Sequence, residues 1–70
     1  MAYTLNRRAV LQAALERDLT IVDLAEVAGI HRVTLHKALS LTHPSEPTLR
    51  TVVGLSNALG LPVESLLAAS

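Results

Sequence analysis

Cysteine, phenylalanine and tryptophan are absent from the chain, and Tyr3 is its only aromatic residue. Without cysteine there is no disulfide framework and no thiolate metal site, which is consistent with a reducing cytoplasm, where we expect the protein to be located. No apolar run approaches the length of a membrane span and no secretory signal is visible, so no membrane association is expected. The formal net charge is zero, which counts mildly against nonspecific nucleic-acid binding.

Aliphatic side chains and alanine make up most of the hydrophobic half of the composition. Seventy residues predict one small domain over 1–70, whose core is marginal on its own. More apolar side chains are present than one small core can bury. We therefore expect a partner surface, most simply that of a homodimer.

Residues 20–39 predict two short helices joined by a tight turn at Gly29, which can adopt a positive φ without steric cost. Thr20 is expected to cap the first of these helices, and Asp23 lies in its first turn. This spacing is typical of a helix-turn-helix, whose second helix lies in the DNA major groove, and it disfavours an ordinary helical corner without a ligand. The predicted motif core is Leu24, Ala25, Gly29, Ile30, Leu35 and Ala38.

The outward face of the second motif helix, which runs from 31 or 32 to 39 or 40, offers side chains suited to DNA. Arginine can donate two hydrogen bonds to a guanine edge, and valine can pack on a thymine methyl group. Helix starts at Thr20 and Thr48 present free N–H groups that can bind phosphate. Solvated surface is the alternative for each lone basic residue. The predicted base contacts are Arg32, Val33, His36 and His31, and the predicted phosphate contacts are Thr20, Lys37, His43, Thr48, Arg50 and Thr51.

Three further helices are predicted around this motif. The first covers 6–17, is capped by Thr4 or Asn6, and comes after a short lead-in at 1–5. A loop with two prolines covers 40–47, a helix from Thr48 ends at Gly60, and a last helix runs from 62 to about 68. The expected apolar positions of the first helix are Val10, Leu11, Ala14 and Leu15, and those of the helix from Thr48 are Leu49, Val52, Val53, Leu55, Ala58 and Leu59.

Arg7 and Arg8 stand at the start of the first helix, where a cation is unfavourable unless an anion is close. They are either solvated, paired with an acid, or in contact with a DNA phosphate, and the sequence leaves these alternatives open. His31 and His36 are about 140° apart around a helix, and neither cysteine nor carboxylate completes a ligand set. No metal or cofactor is therefore expected. An enzyme is not expected either, because paired carboxylates and a glycine-rich phosphate loop are missing.

Residues 6–67 resemble the Cro/CI-type (XRE) DNA-binding family. Besides the helix-turn-helix, the similar segments are Glu46-Pro47-Thr48-Leu49, Ala58-Leu59-Gly60-Leu61 and Glu64-Ser65-Leu66-Leu67. The resemblance implies an all-α, compact five-helix lambda-repressor-like fold and a dimeric repressor that binds a palindromic operator. Residues 35–40 together with 47–49 more weakly resemble the small antidote proteins, or antitoxins, of addiction modules.

Two functions remain open. The first is a dimeric transcriptional repressor of its own or a neighbouring promoter, either phage Cro-like or an antitoxin that represses its own operon. The alternative is a protein-binding module, an antitoxin that acts mainly by occluding a toxin. The apolar content of the last helix and the turn before it predicts a dimer interface at Leu61, Val63, Leu66 and Leu67.

Overall fold

The computed structural model describes residues 3–69, which form a mostly helical domain closed by a small sheet. The helices are α1 (Arg7–Glu16), α2 (Ile21–Ala28), α3 (Arg32–Ala38), α4 (Leu49–Leu59) and α5 (Val63–Leu66), and the strands are β1 (Tyr3–Leu5) and β2 (Leu67–Ala69). Within this part of the chain, no helix has both the length and the apolarity needed to cross a membrane.

Side chains that accept hydrogen bonds from first-turn N–H groups begin four of the helices. Asn6 Oδ1, rather than Thr4, caps α1 by accepting from the Ala9 N–H at 3.1 Å. Gly29 and Gly60 end α2 and α4 with φ of 74° and 65°, as the sequence predicts. These caps satisfy groups that a helix end would otherwise leave unpaired, so the sequence itself specifies where the helices stop and turn.

The core lies where α2 meets α3 and α4, with α1 and α5 closing it. Leucine supplies most of its volume, and small Ala25 and Ala38 let the motif helices approach closely. Five of the six predicted motif-core positions are buried or pack against the core, and the sixth, Gly29, is exposed in the turn. The largest fully buried apolar side chains are Leu24, Leu35, Leu55, Leu59, Leu66 and Val10.

Gly54 lies in the middle of α4 at its contact with α2. A Cβ built on Gly54 would overlap the carbonyl oxygen of Ala28, the last residue of α2. Glycine is unfavourable inside a helix, but here it permits the two backbones to approach more closely than any other residue would. This approach brings the middle of α4 against the end of α2, next to the turn of the motif.

The two ends of the described chain pair as an antiparallel ladder, a small sheet that the expectation of an all-α fold does not include, although the domain is mostly helical as expected. Tyr3 pairs with Ala69 and Leu5 with Leu67, and the Asn6 N–H donates to the Leu66 carbonyl at 2.6 Å. The last helix therefore ends at Leu66 instead of about residue 68, because Leu67 is extended to meet β1. Part of the predicted lead-in, residues 1 and 2, lies outside the described residues.

Three predicted core positions are wrong. Leu15 on α1 and Leu49 on α4 are each 78% exposed, and Val53 is also exposed. On α1 the buried residue is Ala13 and not Leu15, because the face of the helix that carries Ala13 and Ala14 points toward the core. A purely local pattern of aliphatic residues does not reveal which of them the neighbouring helices cover.

Candidate nucleic-acid interface

The start of α2 is held by a reciprocal pair of hydrogen bonds. Thr20 Oγ1 accepts from the Asp23 N–H at 3.1 Å, and Asp23 Oδ2 accepts from the Thr20 N–H at 3.2 Å. This capping box confirms the predicted role of Thr20 as a cap and leaves its hydroxyl proton available. The N–H groups of Ile21 and Val22 belong to the first turn and have no partner within the helix.

Backbone hydrogen bonds close the end of α2 at the turn that leads into α3. The N–H groups of Gly29 and Ile30 donate to the carbonyls of Glu26 at 3.1 Å and Ala25 at 2.9 Å. These bonds satisfy two of the last four carbonyls of α2. Ile30 then packs against the core and anchors the start of α3.

The outward face of α3 carries the predicted base contacts. Leu35 and Ala38 are buried, whereas Arg32, Val33 and His36 are exposed and therefore accessible to a ligand. Contact with DNA at these positions stays a prediction. His31 is exposed but also caps α3, since its Nδ1 accepts from the Val33 N–H at 3.1 Å. Only its Nε2 remains for a base, a restriction that its position in the sequence does not reveal.

Two predicted phosphate contacts lie beyond the middle of α3. Lys37 is exposed in the last turn, where its charge suits the negative end of the helix dipole. Its carbonyl accepts from the Ser45 N–H at 3.1 Å, which folds the loop back onto α3. His43 is exposed in that loop, and its N–H donates to Ser40 Oγ at 3.2 Å. Both side chains are accessible, with the loop held against the helix.

The start of α4 faces the turn of the motif across a shallow cleft of about 240 Å³. His31 and Thr34 line one side, and Thr48 and Arg50 line the other. Predicted base contacts and predicted phosphate contacts therefore lie next to each other. Thr51 also borders the cleft, but its side chain is only 2% exposed.

The prediction that the Thr51 side chain contacts phosphate is wrong, because this side chain is buried. Thr48 Oγ1 accepts from the Thr51 N–H at 3.3 Å, and the two hydroxyl groups lie 3.1 Å apart. The N–H and the hydroxyl group of Thr51 thus serve the start of α4, and burial makes its side chain inaccessible to a ligand. Arg50 is exposed and remains available.

The distribution of charge along the sequence makes the face around α3 more suitable for an anionic ligand than the net charge of zero suggests. Residues 27–45 contain no aspartate or glutamate, whereas Arg32, Lys37 and all three histidines lie in this segment. Asp23 and Glu26 belong to the exposed part of α2 outside it. Within residues 3–69 no three histidine or acidic side chains are grouped closely enough to hold a metal ion.

The prediction that Leu66 belongs to a dimer interface is wrong, because its side chain is 0% exposed within the single chain. Burial in its own core explains why an apolar residue stands there, and it removes the side chain from contact with a partner. Leu61, Val63 and Leu67 are half-buried and also pack against the core. These three still have surface to offer, and their role in a dimer stays a prediction.

Arg7 is a residue whose role the sequence left open. Its Nε donates to the Leu39 carbonyl at 3.0 Å, across 32 positions of sequence, and so connects α1 to the end of α3. The one sequence signal was its unfavourable place at the start of α1, which predicts a negative partner nearby without identifying it.

A family model described as helix-turn-helix matches residues 10–66. The chain therefore belongs to this XRE-type helix-turn-helix family, a class of DNA-binding regulators and not of enzymes. No curated protein matches the sequence.

Proposed function

We propose that this chain is a sequence-specific transcriptional repressor that binds a palindromic operator as a homodimer and controls its own or a neighbouring promoter. Residues 1–70 act as one lambda-repressor-like DNA-binding domain in this proposal. The observation that carries it is the exposed row on α3, flanked by the capped starts of α2 and α4. A face of this kind provides base contacts in the middle and backbone contacts at both sides.

In the proposed complex, α3 lies in the major groove. Arg32 donates to a guanine edge, Val33 packs on a thymine methyl group, and His36 donates to a base. His31 contacts a base through Nε2 only, because its Nδ1 caps the helix.

Phosphates on either side of the groove are held by the ends of the interface. Thr20 and the free N–H groups of α2 contact one backbone, while Thr48 and Arg50 contact another. Lys37 and His43 extend these contacts beyond α3. Such contacts fix the register of α3 without reading sequence.

A symmetric dimer would place two copies of α3 in successive major grooves, on half-sites about ten base pairs apart between centres. Half-buried Leu61, Val63 and Leu67 are proposed to supply the contact between the two copies. The test is to measure binding to the duplex just upstream of the gene at two salt concentrations, with random DNA as competitor. Preferential, salt-sensitive binding by a dimer supports the proposal, and equal affinity for random DNA contradicts it.

A second function, occlusion of a partner protein such as a toxin, is favoured by the exposed aliphatic side chains. Leu15, Leu41 and Leu49 are 78%, 79% and 78% exposed. Contacts through such side chains release few counterions, so binding to the product of the neighbouring gene would depend little on salt. The same titration, performed with that protein, separates the two functions.

A further inference from the structure

The side chain of Arg7, the first residue of α1, makes its hydrogen bond to the end of α3. A cation at the start of α1 opposes the positive end of that helix dipole. Its Nε–H donates at 3.0 Å to the carbonyl of Leu39, the residue that caps the end of α3. Carbonyls at a helix end carry partial negative charge, so α3 supplies the anionic partner that α1 lacks.

Arg7 lines a cleft of about 300 Å³ that α3 shares with α1 and α2. Ile21, the first residue of α2, and His36, on the outward face of α3, also line this cleft. Leu11 and Leu41 provide much of its apolar wall. The cleft therefore opens where the exposed face of α3 meets the start of α2.

Most of the hydrogen-bonding capacity of Arg7 is unused. The guanidinium has five N–H donors, and within residues 3–69 one of them, on Nε, makes a side-chain hydrogen bond. No aspartate or glutamate is among the residues that line the cleft. A cation with free donors beside a base-reading side chain suits an anion that is brought to it by another molecule.

We infer that Arg7 is a DNA-backbone contact, whose terminal amino groups bind a phosphate while Nε holds the end of α3. The inference rests on the proposed function. When the second helix of the motif lies in the major groove, the first helix crosses the backbone, and here the first helix, α2, begins at this cleft. One side chain thus connects the position of α3 to the phosphate next to it.

The test compares Arg7→Gln with Arg8→Gln, which removes the same charge from the neighbouring exposed position outside the cleft. Affinity is measured between about 50 and 200 mM salt for the upstream duplex and for a scrambled duplex of equal length. One lost phosphate contact lowers the salt slope by about 0.9. Over this interval wild-type affinity should therefore fall about 3.5-fold more than that of Arg7→Gln, on both duplexes. Arg8→Gln should keep the wild-type slope.

A purely structural role for Arg7 predicts something different. Losing only the bond to Leu39 would weaken binding while leaving the salt slope of Arg7→Gln equal to that of the wild type. In our assignment Arg7→Lys keeps the slope, because an ammonium group still binds phosphate. An unchanged slope in Arg7→Gln, or an equal reduction in Arg8→Gln, would overturn the inference and leave the proposed function intact. Absence of salt-sensitive binding by the wild type would instead reject both.

Discussion

Replacing Gly54 by alanine tests the close contact between α2 and α4. The added methyl group would overlap the Ala28 carbonyl oxygen. That oxygen belongs to the backbone at the end of α2, so no side-chain rotation can relieve the overlap. The two helices must separate, or the end of α2 must shift, before the methyl group can be accommodated.

Two opposing contributions set the size of the effect. Overpacking of a well-packed contact costs about 1–3 kcal/mol, and a backbone obstacle places the cost in the upper part of this range. Alanine is more favourable than glycine inside a helix by about 0.5–1 kcal/mol. We therefore expect Gly54→Ala to lower the free energy of unfolding by about 1–2 kcal/mol. For a domain of this size that corresponds to a loss of about 4–16 °C in Tm.

Thermal unfolding followed by circular dichroism measures the change, with Asn57→Ala as the control. Asn57 is exposed on the same helix, so alanine there brings the gain in helix propensity without an overlap. The gain in helix propensity is about 0.5 kcal/mol, so the Tm of Asn57→Ala should rise by a few degrees. If Gly54→Ala is as stable as the wild type or more stable, helix propensity outweighs packing at this contact and glycine is not required there.

Three other substitutions test a base contact, the cap of α2 and the burial of Leu66. Arg32→Ala should weaken binding by about 1–3 kcal/mol and relax one base preference in a selection from random duplexes; equal losses on specific and random DNA would reject its role. Thr20→Ala should cost about 0.5–2 kcal/mol in chemical denaturation, because it breaks the capping box with Asp23, whereas Thr20→Ser should retain most of the stability. Leu66→Ala should cost about 2–5 kcal/mol at every protein concentration, since the leucine is buried within one chain; a loss that vanishes in dilute samples would restore Leu66 to a dimer interface.

The motif was predictable because each of its turns depends on a local choice of residue. Thr20 can cap only a helix that begins at the next residue, and Gly29 can adopt its positive φ regardless of distant contacts. The same holds for Gly60 at the end of α4. Local chemistry and the overall fold agree at these positions, so the sequence alone was sufficient to locate them.

The features that were missed depend on partners far away in the chain. Gly54 looks like a plain cost to α4 until the Ala28 carbonyl is placed against it. Thr51 looks like a surface residue of a first turn until the core closes over it. The short strands have no period long enough to recognise, and each is extended because the other lies beside it.

The pairing of β1 with β2 brings both ends of the described chain to the same end of one ladder, with Tyr3 opposite Ala69. Paired residues in such a ladder have Cα atoms about 5 Å apart, which is close to one step along a polypeptide. A loop of another protein could therefore accept this domain as an insertion without being stretched. In that arrangement the host chain would hold β1 and β2 together. Unfolding of the domain would increase the distance between the two host residues on either side of the insertion.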